Sequence, residues 1–397
     1  MSRANDRVTC VTWHGVVTDI VPGGPPIERR HPRRVGRPLE RDAIKALQVS
    51  RHTPIRDVIE VIDRSGRVSV ALLVDDQDHL VATITDGDVR RALLAGLRLD
   101  AAVETMLPLK ATLPNPEPVT APVGIDLASA LVLMQTRRVR QLPLVDADSH
   151  VVDVILLWDL IAQPPEALRA VIMAGGFGTR LRPLTDDLPK PMLPIGGRPL
   201  IERIVGQLKE SGIDHIVVTT HYKPQAIIDH FGDGTDFGVT MTYVQEDEPL
   251  GTGGALGLIP RIVEPLLVIN GDILTQVDFR TLLDFHREYG ADLTVGVRRY
   301  TFNVPYGVVE TAGARVMRID EKPEMSFFVN AGIYLLEPGI SDFVPAGVSL
   351  NMTDLIQTVI DAGRVVVSFP VLEYWMDVGR TEDYQQAQVD RDSGKWK

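Results

Sequence analysis

The stretch Ala170-Val-Ile-Met-Ala174 runs straight into Gly175-Gly-Phe-Gly-Thr-Arg-Leu-Arg-Pro-Leu-Thr185, and Leu188-Pro-Lys-Pro-Met-Leu-Pro194 follows. An apolar strand that ends on clustered glycines reads as the first strand of an α/β domain, with a ligand at its carboxyl end. Gly175, Gly176 and Gly178 let the backbone approach a polyphosphate closely and aim N–H groups at it. Arg180 and Lys190 add cations for phosphate oxygens. A dinucleotide fingerprint needs G-x-G-x-x-G and a P-loop needs Gly-Lys-Ser/Thr; neither is present. A plain glycine turn accounts for the glycines but not for the Thr-Arg and Pro-Lys-Pro that follow.

Downstream, apolar strands (Ile216–Thr220, Leu266–Ile269, Leu293–Val297) alternate with helical stretches (Pro199–Glu210, Pro224–His230, Phe279–Tyr289). This alternation predicts an α/β domain over 169–390 with a mostly parallel sheet, and a short tail at 391–397. Upstream, residues 44–163 carry one layout twice, at about 50–110 and 115–163, which reads as an internal duplication. Each copy has a helix, a strand, an acidic turn (Asp75-Asp-Gln-Asp78 or Asp146-Ala-Asp148), a second strand and a second helix. The first helix is expected at Ile55–Asp63 and the first strand at Val68–Val74. Residues 1–43 mix Pro, Gly and Arg without apolar periodicity, so no fold is assigned there; the segment is read as a disordered tail or as upstream sequence from a misassigned start.

Composition narrows the function. Of 397 residues, 44% are hydrophobic and 24% charged, an ordinary globular balance. Residues 1–45 hold nine Lys/Arg against five Asp/Glu, whereas residues 163–397 hold 21 against 32. That acidic bulk argues against nucleic-acid binding, which needs a basic surface. No apolar run is long enough to span a membrane, and no secretory signal is legible. The single cysteine, Cys10, excludes an internal disulfide, and a cytoplasmic location is expected.

The string G-G-x-G-T-R-L-x-P-L-T-x(4)-P-K-P-M resembles the signature of the sugar-1-phosphate nucleotidyltransferases. That resemblance implies a Rossmann-like, GT-A-like mixed sheet. It places Met173, Ala174, Gly175, Gly176, Gly178, Thr179, Arg180 and Lys190 on a nucleoside triphosphate. Glu246-Asp-Glu-Pro-Leu-Gly-Thr-Gly-Gly-Ala-Leu256 is similar to the segment that holds the nucleobase, implicating Glu246, Gly251 and Thr252. Asn270-Gly-Asp272 and Trp375-Met-Asp-Val-Gly379 resemble the two metal loops, so Asp272 and Asp377 are expected to hold Mg²⁺. A lone aspartate at a strand end also reads as a turn cap, and it is the second carboxylate that favours a metal. Tyr306-Gly307, Glu321-Lys322-Pro323 and Asn330-Ala-Gly-Ile333 resemble the sugar-contacting motifs. The implied reaction is attack of a sugar phosphate on the α-phosphorus of the triphosphate, with pyrophosphate leaving in line. Arg180, Lys190, Asp272 and Lys322 are the catalytic set; His215, His221 and His230 show no ligand spacing.

The duplicated segment resembles a tandem CBS pair of α+β type. Thr85-Asp-Gly-Asp88 is similar to the T-x-x-D that contacts the ribose of an adenine nucleotide. The second copy keeps Asp159 but has Leu156 in place of the threonine. The pair reads either as a nucleotide site or as a module that assembles a homo-oligomer. A CBS pair ahead of a nucleotidyltransferase resembles a small bacterial group that includes the glucosamine-1-phosphate guanylyltransferases of legionaminic acid biosynthesis, a surface-glycan precursor route. The Glu246 segment is also closer to mannose-1-phosphate guanylyltransferases than to thymidylyl enzymes. GTP and glucosamine-1-phosphate are therefore the expected substrates, with mannose-1-phosphate or another base as alternatives. The rival from another class is a catalytically silent sensor of nucleotides and sugar nucleotides.

Overall fold

In a computed structural model the chain separates into two compact units, Met1–Pro164 and Pro165–Lys397. The structure describes residues 9–11, 17–19, 27–29, 39–160, 168–260 and 263–396, and side chains from Leu39 onward. Within the stretch expected to have no fold, three short strands (Thr9–Val11, Val17–Asp19, Ile27–Arg29) form an antiparallel sheet. The carboxyl end expected for the duplicated segment, at 161–163, lies outside the described residues.

The first unit is the duplication made visible. Strands Gln48–Val49, Val70–Val74 and Leu80–Thr85 form one three-stranded sheet; Ala121–Pro122, Gln141–Val145 and Val151–Leu156 form the other. In each, the first pairing is parallel and the second antiparallel, with a register shift one residue before the turn. Both acidic turns use the same chemistry. Asp75 accepts from the backbone N–H of Gln77 and His79, and Asp146 from those of Asp148 and His150. His79 and His150 meet in a β-bridge, their ring centroids 5.1 Å apart, at the centre of the two repeats. The copies share a core in which Val70 and Leu72 pack with Val151, Val154 and Leu156. The first helix spans Ile55–Arg64 as its apolar spacing predicts, burying Ile55, Val58 and Ile62. The strand expected from Val68 starts later, at Val70, because Gly66–Val68 forms a 3₁₀ turn and Ser69 has φ +48°.

The second unit is built on a seven-stranded sheet in the order Thr240–Gln245, His215–Thr220, Arg169–Ala174, Leu266–Asn270, Glu324–Leu336, Leu293–Asn303, Val366–Pro370. Only Glu324–Leu336 runs against the rest, so the sheet is mixed. From the central strand Arg169–Ala174 the chain builds outward on one side, then crosses to Leu266–Asn270 on the other. That reversal opens a crevice at the carboxyl ends of these two strands, where open α/β sheets bind ligands.

Two expectations need correcting. The strand predicted at Leu293–Val297 continues to Asn303 and leaves the sheet with Glu324–Leu336 as a two-stranded ribbon. The residues read as a tail from 391 instead dock. Helix Thr381–Asp392 ends within them, and Trp396, 3% exposed, packs with Ile195, Leu200, Leu274, Val378 and Ala387. Arg203 lies over the indole ring at 4.7 Å, and the indole N–H donates to the Ala387 carbonyl. Replacing Trp396 with Ala should therefore cost about 3–5 kcal/mol, the usual range for a buried Trp truncation. Denaturant unfolding of the full chain measures it, and a loss within error of zero would show that the terminus is dispensable.

Candidate active site

The site is built where Arg169–Ala174 and Leu266–Asn270 end side by side. After the first strand, Gly178 takes φ +64° and its carbonyl accepts from the Thr185 hydroxyl at 2.8 Å, folding the loop back on itself. Thr179–Leu181 makes one 3₁₀ turn carrying Arg180, and Lys190–Met192 makes another. After the second strand, the Gly271 N–H donates to the Met173 carbonyl at 2.8 Å, tying the aspartate loop to the glycine loop. Asp377 arrives by a short antiparallel ladder, Ile273–Thr275 with Trp375–Asp377. The Val378 N–H donates to the Asp272 carbonyl at 3.0 Å, and the Trp375 indole to the Ala331 carbonyl at 2.8 Å.

Three of the expected residues converge. Lys190, 7% exposed, donates to the Asp272 carboxylate, and its ammonium also lies 3.8 Å from Asp377 Oδ1. Burial and the neighbouring Asp272 push the Asp377 carboxyl up, against the opposing pull of Lys190 and Arg180. Two carboxylates thus share one ammonium, with the Arg180 guanidinium close by. They are hard oxygen donors at adjacent positions, which fits a Mg²⁺-type cation completed by water and phosphate oxygens.

Glu246 follows strand Thr240–Gln245 and is 5% exposed. Its Oε2 accepts from the Leu250 N–H at 2.9 Å, while its backbone N–H is fixed on the Thr220 carbonyl. Its Oε1 faces Gly175 so closely that a Cβ there would sit 2.6 Å from it. Sequence reasoning left His221 out, yet its Nδ1 lies 2.9 Å from the Glu246 carbonyl oxygen and its ring contacts Phe177 edge-on. The unusual aromatic within the glycine loop, Phe177, was the one available signal for that contact.

Arg180 reaches the cluster too, its guanidinium lying against Gly379 beside the Asp377 carboxylate; the remaining expected residues stand apart. Thr252 accepts from the Met352 N–H at 2.9 Å, serving the start of helix Met352–Asp361, and Gly251 lies against Leu350. Tyr306 is 75% exposed, and Glu321 sits against Gly307. Lys322 is exposed with φ +48°. Asn330 turns its side-chain oxygen back to the Gly332 N–H. No hydrogen bond or ion pair among the described residues joins Tyr306, Glu321, Lys322 or Asn330 to the Lys190 cluster. In the first unit, Thr85 and Asp88 close a capping box on helix Asp86–Leu94. Asp88 also pairs with Arg91 at 2.7 Å and Lys110 at 2.9 Å, so its carboxylate is fully engaged. Asp159 lies 3.5 Å from Arg67.

The nucleotidyl transferase family model matches residues 169–393, more than half of the chain, and the chain belongs to that family. The CBS domain matches twice, at residues 42–95 and 110–165. Mannose-1-phosphate guanylyltransferase of Mycobacterium tuberculosis is 36% identical over 228 residues, 56% of this chain and 64% of its own length. Mannose-1-phosphate guanylyltransferase 1 of Arabidopsis thaliana is 34% identical over 230 residues, 55% of this chain and 63% of its own. The chain therefore spans a little under two thirds of these curated relatives. Among solved structures, HddC from Yersinia pseudotuberculosis is 28% identical, with TM-score 0.44, covering 56% of this chain and 99% of that one.

A Gly175→Ala substitution tests the contact with Glu246. The added methyl must push the carboxylate aside, and nucleoside triphosphate affinity should fall at least about tenfold, or about 1.4 kcal/mol, with the melting temperature little changed. Titration calorimetry reads the affinity, and wild-type binding would show that Glu246 takes no part.

Proposed function

We propose that the chain is a sugar-1-phosphate guanylyltransferase, and the observation that carries the base is the Glu246 carboxylate. A carboxylate only accepts hydrogen bonds. Guanine presents two adjacent donors, N1–H and the N2 amino group, which one carboxylate can take together. Adenine presents an acceptor beside its donor, and thymine and uracil flank their single donor with carbonyls. For the sugar, glucosamine-1-phosphate follows from the sequence resemblance and mannose-1-phosphate from the names of the curated relatives; both are hexose-1-phosphates.

In this reading an oxygen of the sugar phosphate attacks the α-phosphorus of GTP. A new P–O bond forms as the α–β bridge breaks, and pyrophosphate leaves with the electron pair. An ionised phosphate is a competent nucleophile, so no side-chain nucleophile is needed, and catalysis is positioning plus charge neutralisation. The glycine-loop N–H groups hold the phosphates, and Arg180 and Lys190 offset their charge. Asp272 and Asp377 would hold the divalent cation. When bound, that cation neutralises phosphate charge as the transition state develops. Lys322, in the exposed turn before strand Glu324–Leu336, supplies a cation for the sugar phosphate. A silent sensor would have no use for two carboxylates around a buried lysine, which supports the enzyme reading. At the first CBS repeat an adenine nucleotide would compete with Lys110 and Arg91 for Asp88.

Pyrophosphate release from GTP, ATP, CTP, UTP and dTTP, each with glucosamine-, glucose- and mannose-1-phosphate, tests both specificities. GTP should be preferred, and Glu246→Gln should shrink that preference roughly ten- to hundredfold, as for loss of a bidentate base contact of about 1–3 kcal/mol. Equal use of ATP by the wild type would remove the guanine assignment. Asp272→Asn and Asp377→Asn should each lower turnover by at least about 10²-fold while the fold persists. Near-normal turnover in either would take that residue out of the metal set.

A further inference from the structure

We infer that His221 is a positioning residue for base selection, holding the Glu246 carboxylate in register with the glycine loop, a role that rests on the guanine reading of Glu246 proposed above. The ladder between His215–Thr220 and Thr240–Gln245 ends with Thr220 opposite Gln245. Glu246 comes next, and its backbone N–H still reaches the Thr220 carbonyl at 2.8 Å. Its own carbonyl is held by a side chain instead, 2.9 Å from His221 Nδ1. A carbonyl only accepts, so Nδ1 carries the proton and donates. Two consecutive residues, Thr220 and His221, thus hold both main-chain polar groups of Glu246.

The same imidazole side chain faces the glycine loop. A methyl on Gly175 would meet the His221 Cβ at 3.6 Å, and this is the glycine that Glu246 Oε1 also lies against. Phe177 meets the His221 ring edge-on, with centroids 5.3 Å apart and 83° between the planes. Phe177 lies 5.7 Å from Tyr222 as well, and the Tyr222 hydroxyl donates to the Thr185 carbonyl at 3.2 Å. Thr185 in turn closes the loop on the Gly178 carbonyl. His221 and Tyr222 therefore touch the glycine loop at its start and at its end, while His221 also seats Glu246.

A nucleoside triphosphate ties its base to its phosphates through the ribose, so a site that grips both ends must keep its two grips at one separation. The glycine-loop N–H groups take the phosphates, Glu246 takes the base, and His221 is in contact with both. Leucine at 221 fills similar space but offers no donor, so the Glu246 carbonyl is released and the carboxylate drifts against the loop. Misplacement of about 1 Å is costly for such a contact. The loss falls on guanine, which uses the carboxylate, and spares adenine, which does not. Asparagine keeps a donor, because its Nδ2 branches from Cγ as the histidine Nδ1 does and can reach the same carbonyl.

Titration calorimetry of GTP and ATP into the full chain with Mg²⁺ reads the ratio of the two affinities, with circular dichroism and melting temperature as controls for folding. His221→Leu should shrink the GTP preference roughly five- to tenfold, the size of one hydrogen bond, and His221→Asn should keep it. In a Glu246→Gln background His221→Leu should change the ratio no further, since the carboxylate it positions is gone. Should His221→Leu not fold, His221→Ala is read in its place. An unchanged ratio in the folded variant overturns the inference, whether both affinities hold or both fall together; the second result is what a merely structural role gives. His221→Asn as impaired as His221→Leu overturns it too, as does an additive loss in the Glu246→Gln background. A wild type that binds ATP as tightly as GTP, or a Glu246→Gln variant that keeps the full preference, removes the guanine reading itself, and the role of His221 with it.

Discussion

A buried lysine is costly unless a counter-charge reaches it, and the site is organised around that requirement. Lys190 lies on a turn between prolines, far in sequence from either partner. Asp272 closes the strand at the sheet's reversal, and Asp377 comes from the last strand before the final helix. Holding all three together fixes the ladder of Ile273–Thr275 with Trp375–Asp377 and the docking of the final helix beyond it. Burial first, and then the neighbouring Asp272, raise the Asp377 carboxyl against the pull of Lys190 and Arg180.

Rigidity around the cluster comes from backbone rather than from long side chains. The glycine loop is tied to the aspartate loop by one main-chain hydrogen bond; Glu246 is seated by its own N–H on the Thr220 carbonyl and by the Leu250 N–H on its carboxylate. Groups fixed in this way need little reorganisation when a charged ligand arrives, which is where electrostatic catalysis gains its advantage.

How far the sequence could be read follows from which interactions are local. The glycine loop, the apolar strands and the duplicated layout depend on neighbouring residues, and the structure places them close to the reading except where strand Leu293–Asn303 runs on past Val297. Asp272 and Asp377 were legible as a pair, but their link through Lys190 was not, because no sequence spacing expresses a contact across so long a separation. Trp396 was missed because a lone aromatic at a chain end has no periodicity to mark its burial. The ribbon was missed because Arg298-Arg-Tyr-Thr-Phe-Asn303 mixes charge with aromatics, and alternation tells which residues share a face but not whether anything covers it. Thr252 reads as a ligand contact from its motif, yet its hydroxyl serves a helix about a hundred residues later.

The first unit shows how a motif can be intact while its chemistry is already committed. Burial pushes the Asp88 carboxyl up, but Lys110 and Arg91 hold it below the ordinary carboxylate value, aided by the Thr85 backbone N–H. Any hydroxyl that sought Asp88 would have to displace an ammonium or a guanidinium rather than water. That exchange is favourable only if the incoming ligand satisfies the displaced cations itself, as the phosphates of a nucleotide can. A nucleoside without phosphates meets the cost without the compensation. The second repeat has Leu156 at the corresponding position, and its Asp159 faces Arg67 across the repeats. The duplication has thus kept its scaffold of acidic turns and paired histidines while giving its two strand-to-helix junctions unequal polar chemistry. The common scaffold accounts for the shared core, and the paired charges of Asp88, Arg91 and Lys110 belong to the first repeat alone.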